Sequence, residues 1–71
     1  MKAVIIDQSV IDTNRGKVFM LGNLGQTKFN WFLTIDGRKC IDPITAKTLN
    51  IIGDIIDLRG DEVDYPVTCI E

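Results

Sequence analysis

The fold is decided by residues 42–60, DPITAKTLNIIGDIIDLRG. Asp42 and Pro43 are typical of a helix start, because an aspartate accepts hydrogen bonds from first-turn N–H groups and proline needs no donor at the first helical position. Gly60 suits the left-handed residue that ends a helix. Between these ends, the residues of one helix face recur at a spacing of three or four positions: Ile44, Thr48, Ile51, Ile55 and Leu58. This spacing predicts one amphipathic helix.

A hairpin is the alternative for residues 44–58. The segments 49–52 and 55–58 are near mirror images about Gly53 and Asp54, and Gly-Asp is an acceptable two-residue hairpin turn. The β-branched isoleucines and the central glycine also disfavour a helix, the glycine by ~1 kcal/mol. The cap, the first-turn proline and the wide apolar arc favour the helix, and the hairpin is kept as the alternative.

The first half of the chain has short β-branched runs that are typical of strands. Residues 3–11 are predicted to form the first strand, and the turn formers at 12–16 are predicted to connect it to a return strand at 17–21. A loop with two glycines and an asparagine follows at 22–26. The sequence therefore predicts an N-terminal β-hairpin.

The clearest strand signal lies at residues 28–35, where apolar residues occupy every second position: Phe29, Trp31, Leu33 and Ile35. Asp36 and Gly37 follow directly, and an Asp-Gly pair between two strand-like runs predicts a two-residue type I′ turn. Residues 38–41 then form the antiparallel return strand. A second hairpin is the prediction for this part of the chain.

Length and charge limit the classes of function. A chain of 71 residues is long enough for one domain. A domain of this size hides only about 60% of the surface of its unfolded form, so its stability is small, and oligomerisation often adds to it. Apolar residues make up 45% of the chain and the mean hydropathy is +0.12, a high value for so small a protein. Residues 1–47 carry seven basic against four acidic side chains, whereas residues 48–71 carry one against six. The net charge of −2 points neither to a nucleic acid nor to an anionic membrane.

The usual catalytic and metal-binding sets are missing from the sequence. It has no histidine, and its two cysteines, Cys40 and Cys69, are predicted to be buried thiols rather than a disulfide scaffold. The acids Asp54, Asp57 and Asp61 are expected to be solvated groups on the polar side of the helix. No signal peptide or membrane span is recognised, so we expect a cytoplasmic protein with no cofactor and no membrane partner.

The hairpin at residues 28–39 combines aromatic and basic side chains, an arrangement that some sheets use to stack single-stranded bases. Phe29 and Trp31 are more simply core residues, which leaves Phe32 as a candidate exposed anchor on the opposite face. The residues to test for an interaction are Lys28, Trp31, Phe32, Arg38 and Lys39.

These observations predict a small α+β domain, with an antiparallel sheet of four or five strands and one amphipathic helix in the order ββββαβ. The last strand is predicted at residues 63–70, at a sheet edge or bulge because Pro66 has no N–H to donate. An all-β, barrel-like fold is the alternative if residues 44–58 form a hairpin.

The predicted function is a non-enzymatic interaction module, a small protein-binding regulator or inhibitor that acts as a homo-oligomer. Its expected partners are itself and another protein. One alternative is a single-stranded nucleic-acid binder that uses the hairpin at residues 28–39. Another is an oligomer that binds or sequesters a small ligand in pockets between subunits.

Overall fold

The computed structural model describes residues 1–59 and 63–66. Within them the chain forms seven strands, two helices and a 3₁₀ turn at Gly22–Leu24. In chain order the strands and helices are β1 (Lys2–Ile6), α1 (Gln8–Asn14), β2 (Val18–Met20), β3 (Gln26–Lys28), β4 (Phe32–Thr34), β5 (Lys39–Ile41), α2 (Pro43–Thr48), β6 (Ile55–Asp57) and β7 (Val63–Pro66).

Five of these strands form one antiparallel sheet in the order β6-β1-β5-β4-β7. The other two, β2 and β3, form a separate antiparallel ribbon. The prediction of a small α+β fold with four or five antiparallel strands in the sheet is confirmed. The order of elements along the chain differs, since a helix follows β1 directly.

The sheet has an apolar cluster on each face because side chains alternate along β1. Val4 and Ile6 point to one face, where they pack with the buried side chains of both helices; this larger cluster comprises Val4, Ile6, Ile11, Phe29, Ile41 and Ala46. Ala3 points to the other face and packs with Cys40 and Leu58. Both helices therefore cover the same face of the sheet.

Residues 8–14 are helical, so the prediction of a strand over residues 3–11 is wrong beyond Ile6. The Asp7 carboxylate caps α1 by accepting from the backbone N–H of Val10 at 3.1 Å, and Ile11 is fully buried. At the other end the Asn14 side chain donates to the Val10 carbonyl at 2.8 Å. These polar contacts and the burial of Ile11 outweigh the weak strand preference of β-branched residues.

The predicted N-terminal hairpin is also wrong, because β2 pairs with β3 and not with β1. The strand predicted at residues 28–35 is divided: β3 ends at Lys28 and β4 begins at Phe32. Between them Phe29 is buried in the larger cluster. The predicted strand is therefore split into two short strands around a buried aromatic residue.

The predicted β4–β5 hairpin is confirmed, but its turn differs from the predicted two-residue type I′ turn. The Thr34 carbonyl accepts from the Gly37 N–H at 2.9 Å, and the Thr34 N–H donates to the Arg38 carbonyl at 2.9 Å. Gly37 has a φ of 89°, whereas Asp36 is not among the residues with positive φ. This pattern is a three-residue loop in which only the glycine takes the left-handed conformation.

The helix start at Asp42 and Pro43 is confirmed, with the Asp42 carboxylate accepting from the Thr45 N–H at 3.2 Å. The helix ends at Thr48 instead of reaching residue 58. Asn50 has a φ of 57°, the Ile51 N–H donates to the Ala46 carbonyl, and the Asn50 N–H donates to the Lys47 carbonyl. These two bonds form a Schellman motif, which stops the helix.

Residues 55–57 then form a strand that pairs with β1, so neither the long helix nor the 44–58 hairpin is present. Gly60, the predicted helix stop, lies outside the described residues. The last predicted strand is present as β7, where Pro66 lies at the sheet edge as expected, and the pairing with β4 is irregular between Leu33 and Thr34. The rest of that prediction, residues 67–70, lies outside the described residues.

Candidate functional site

One edge of the sheet is formed by β6, which pairs only with β1 among the strands that the structure describes. The Leu58 N–H donates to the Met1 carbonyl at 2.7 Å, and the Asp54 carbonyl accepts from the Ile5 N–H at 2.9 Å. Hydrogen bonding alternates along an antiparallel strand. The backbone groups of Ile55 and Asp57 therefore point away from β1, toward the open side of the sheet.

An apolar cleft of about 260 Å³ lies beside this edge, between α2 and β6. We call it the β6 cleft, and its lining consists of Val4, Pro43, Ala46, Lys47, Ile51, Ile52, Gly53 and Ile55. Ile52 is 96% exposed and Ile55 is 65% exposed. Two large apolar side chains thus stand in solvent next to backbone groups that have no strand partner in the described part of the chain.

The charged groups around the edge are unequally paired. The Asp57 carboxylate lies 3.3 Å from the N-terminal amino group and 3.7 Å from the Lys2 ammonium, so its charge is partly balanced within the chain. Lys47 is exposed at the rim of the β6 cleft, and the structure gives it no ion pair with any described residue. The edge can therefore accept a carboxylate at Lys47.

A larger and more open cleft, of about 500 Å³, lies on the β2–β3 ribbon. Its lining mixes polar and apolar groups: Val18, Gln26, Thr27, Lys28 and Asn30. Size alone favours this cleft, but it has no cluster of exposed large apolar groups in its lining. The smaller β6 cleft is the stronger candidate because it joins exposed isoleucines to an open strand edge.

The structure separates the interaction residues predicted from the sequence. Trp31 packs against the larger cluster, and Phe32 packs against the smaller cluster on the opposite face of the sheet. Phe32 is partly buried there, so the expectation of an exposed aromatic anchor is corrected. The two rings do not share one stacking platform.

The three predicted basic residues are also distributed over different elements. Lys28 is exposed at the end of β3, Lys39 is partly buried in β5, and Arg38 donates to the Asp36 carboxylate at 2.8 Å. The arrangement does not assemble the aromatic and basic surface that the sequence suggested. Binding of single-stranded nucleic acid through these residues stays a prediction.

Among the residues that the structure describes, the strongest pKa shift belongs to Asp36, at the tip of the β4–β5 hairpin. The Thr34 hydroxyl donates to its carboxylate at 2.5 Å, and the Arg38 guanidinium adds a second hydrogen bond. These contacts lower the pKa of Asp36 to about 2. Both partners lie within two residues of Asp36, so the shift is explained by the turn and points to no reaction.

Cys40 is fully buried, and burial raises the pKa of its thiol, which favours an unreactive thiol over a nucleophile. The prediction of a buried thiol is confirmed for Cys40, while Cys69 lies outside the described residues. Asp54 lies in a loop and Asp57 in β6 instead of along one helix, and Asp61 is not described. The described residues contain no group of three possible metal ligands and no helix able to cross a membrane.

The residues that form the β6 cleft were not predicted from the sequence. The sequence pattern placed Ile55 on the apolar face of one long helix. A signal was present in the hairpin alternative, which treated residues 55–58 as a strand after Gly53 and Asp54. The pairing of that strand with β1 joins residues more than fifty positions apart, so it leaves no local pattern in the sequence.

Comparison with protein-family models, with curated proteins and with solved structures found no match. We therefore infer the function from the residues of this chain.

Proposed function

We propose that this chain is a non-enzymatic protein-binding module whose partner adds a strand to β6 and places an apolar side chain in the β6 cleft. The observation that carries the proposal is the exposure of Ile52 and Ile55, 96% and 65%, beside the open edge of the sheet. Strand addition supplies main-chain hydrogen bonds for affinity, and pockets for alternate side chains supply specificity.

The contrast between the two edges of the sheet supports this choice. At the β7 edge, Pro66 removes a donor and the pairing with β4 is irregular, two features that commonly protect an edge from other chains. At the β6 edge, residues 55–57 include no proline, and their pairing with β1 is regular. The β6 edge is thus the one suited to receive a strand.

The charges at the β6 edge define the partner further. Lys47 at the rim of the cleft favours a segment with a carboxylate near its apolar side chain. An extended segment with an apolar and an acidic residue two positions apart meets both requirements, because these two side chains lie on the same face of the added strand. A binding surface of this kind, without a catalytic set, fits a small regulator or inhibitor that acts by occupying part of another protein.

The test is selection of peptides from a random library against the domain, immobilised at low density so that neighbouring copies do not meet. We expect extended apolar and acidic peptides whose amide shift changes map to residues 51–57. The double variant Ile52→Ser/Ile55→Ser removes the apolar surface that a bound peptide covers. It should weaken binding roughly tenfold or more.

The matched control is Val18→Ser/Met20→Ser, which removes two apolar side chains that are 47% and 60% exposed on the β2–β3 ribbon. This variant should bind the selected peptides like the unchanged protein. Selected peptides that bind equally to the isoleucine variant, or that shift the amides of the ribbon instead, would contradict the proposal.

A further inference from the structure

The backbone groups on the open side of β6 have a spacing that allows the strand to pair with itself. The outward-pointing groups belong to Ile55 and Asp57, on either side of Ile56. A two-fold axis through Ile56 places Ile55 of one copy opposite Asp57 of the other, and each such pair can exchange both N–H···O bonds. From this geometry we infer that the strand received at β6 is the β6 strand of a second copy of this chain.

This inference deepens the proposed function and depends on it, because it uses the same edge and cleft. A dimer about a two-fold axis uses the same surface on both copies, so each contact is made twice. The two sheets then become one continuous antiparallel sheet across the axis. The edge that each copy leaves open is covered in the dimer.

Charge favours this register. Directly opposite side chains of an antiparallel pair share one face of the sheet. Ile55 lines the same cleft as Lys47, so the opposing Asp57 of the second copy approaches the Lys47 ammonium. The Asp57 side chain is 69% exposed and is held on this face by the N-terminal amino group and Lys2. Each copy thus supplies the carboxylate that the Lys47 of the other lacks.

Neighbouring registers are less favourable. An axis through Asp57 places the two Asp57 carboxylates directly opposite each other, which is repulsive. An axis through Ile55 pairs Asp57 with Gly53, but β6 begins only at Ile55. The axis through Ile56 keeps both outward residues inside the strand and separates the like charges.

The first experiment measures the molar mass of the full chain by sedimentation from about 1 µM to about 1 mM, the range in which small interfaces associate. We expect a reversible monomer–dimer equilibrium. Lys47→Glu replaces two attractions per dimer with two repulsions and should weaken association roughly tenfold. Lys28→Glu makes the same charge change at the end of β3 and should leave association unchanged.

The second experiment tests the register with single cysteines in a Cys69→Ser background. In the inferred dimer the two Ile56 residues form a non-hydrogen-bonded pair, with Cα atoms about 4.5 Å apart, within the range that a disulfide spans. Ile56→Cys should therefore give a covalent dimer on mild oxidation, whereas Ile55→Cys should not. Cross-linking of Ile55→Cys in place of Ile56→Cys would overturn the inferred pairing.

The outcomes separate the two proposals. A chain that stays monomeric while the selected peptides still bind at residues 51–57 overturns the second-copy inference and leaves the protein-binding function standing. A monomer to which no peptide binds at β6 overturns both. A dimer unaffected by Lys47→Glu, or weakened equally by Lys28→Glu, places the interface elsewhere and also overturns the inference.

Discussion

Gly53 lies so close to the backbone carbonyl oxygen of Ile5 that a Cβ at position 53 would overlap this oxygen. The same Cβ would lie 3.1 Å from Cγ1 of Val4. A glycine here allows the chain to run against β1 immediately before β6 begins. The close approach explains why this glycine stands in a run that otherwise contains large apolar residues.

We expect Gly53→Ala to lower the free energy of unfolding by about 1–3 kcal/mol, the usual effect of inserting a methyl group where no space exists. At a position where alanine fits, replacing glycine with alanine stabilises a protein by ~0.4–1 kcal/mol, because it reduces the conformational entropy of the unfolded chain. The sign of the effect therefore shows whether the Cβ fits at position 53. Urea denaturation gives the magnitude. The Ile5 N–H donates to the backbone carbonyl of Asp54 at 2.9 Å. Faster hydrogen exchange at this amide would show that the structure loosens between β1 and residues 53–54. A stabilised variant would contradict the close approach.

Asn50 ends α2 in the left-handed conformation, with a φ of 57°. Glycine has no Cβ and adopts this conformation more easily than asparagine, whereas alanine adopts it less easily. We expect Asn50→Gly to raise the free energy of unfolding by about 0.5–1 kcal/mol and Asn50→Ala to lower it by a similar amount. Thermal unfolding of the two variants checks the opposite signs, and two changes of the same sign would count against the Schellman motif.

Asp42 caps the other end of α2 through its bond to the Thr45 N–H, 3.2 Å long. Asp42→Ala should lower the free energy of unfolding by about 1 kcal/mol, the usual cost of losing such a cap. Asp54→Ala removes an exposed aspartate whose side chain caps no helix, and it should change stability by no more than ~0.5 kcal/mol. Equal losses in the two variants would show that the cap contributes nothing beyond a general effect of charge.

The two ends of α2 show what the sequence could and could not predict. Its start was predicted correctly, because Asp42 and Pro43 act through contacts with the next few residues. Its end was predicted ten residues too late, at residue 58 instead of Thr48, because apolar spacing continues beyond the helix. Asn50 is a weaker local signal for a helix end than Gly60. The contact of Gly53 with Ile5 joins distant parts of the chain, so no local pattern predicts it.

The same distinction holds for α1 and for the candidate site. The Asp7 cap was a local signal that the β-branched residues Val10 and Ile11 obscured. The β6 edge was not predictable in this way, since β6 is defined by pairing with β1, whose residues lie more than fifty positions away. Fold class follows from composition and local patterns, whereas surface exposure at Ile52 and Ile55 follows from which strands meet.

Asp36 gives the β4–β5 hairpin a dependence on pH. Its pKa is about 2 in the folded chain against an ordinary value of 3.8, mainly because the Thr34 hydroxyl donates to it and secondarily because Arg38 does. The contribution to stability is therefore complete above pH ~4 and is lost as the pH falls toward ~2. We expect the stability difference between the unchanged protein and Asp36→Asn to shrink over this interval.

Thr34→Val tests the cause, because it removes the hydroxyl that holds the Asp36 carboxylate. An NMR titration of the carboxyl carbon should show the pKa of Asp36 moving up toward its ordinary value of 3.8. Asp12, whose pKa is lowered by Gln8 and Arg15, is the internal reference and should titrate as before. An Asp36 pKa unchanged in Thr34→Val would assign the shift to Arg38 instead.

Cys40 is fully buried in the smaller cluster beside Ala3, and burial raises the pKa of its thiol. A buried, protonated thiol reacts only when the structure opens. In a Cys69→Ser background we expect the folded chain to react with a thiol reagent at neutral pH about 100-fold or more slowly than the urea-unfolded chain. Ile35→Cys supplies the exposed reference, since Ile35 is 68% exposed in the β4–β5 turn, and it should react at nearly the same rate folded and unfolded. Rapid modification of Cys40 in the folded chain would show that the smaller cluster opens readily. It would contradict the tight packing of this cluster beside the β1–β5 pair.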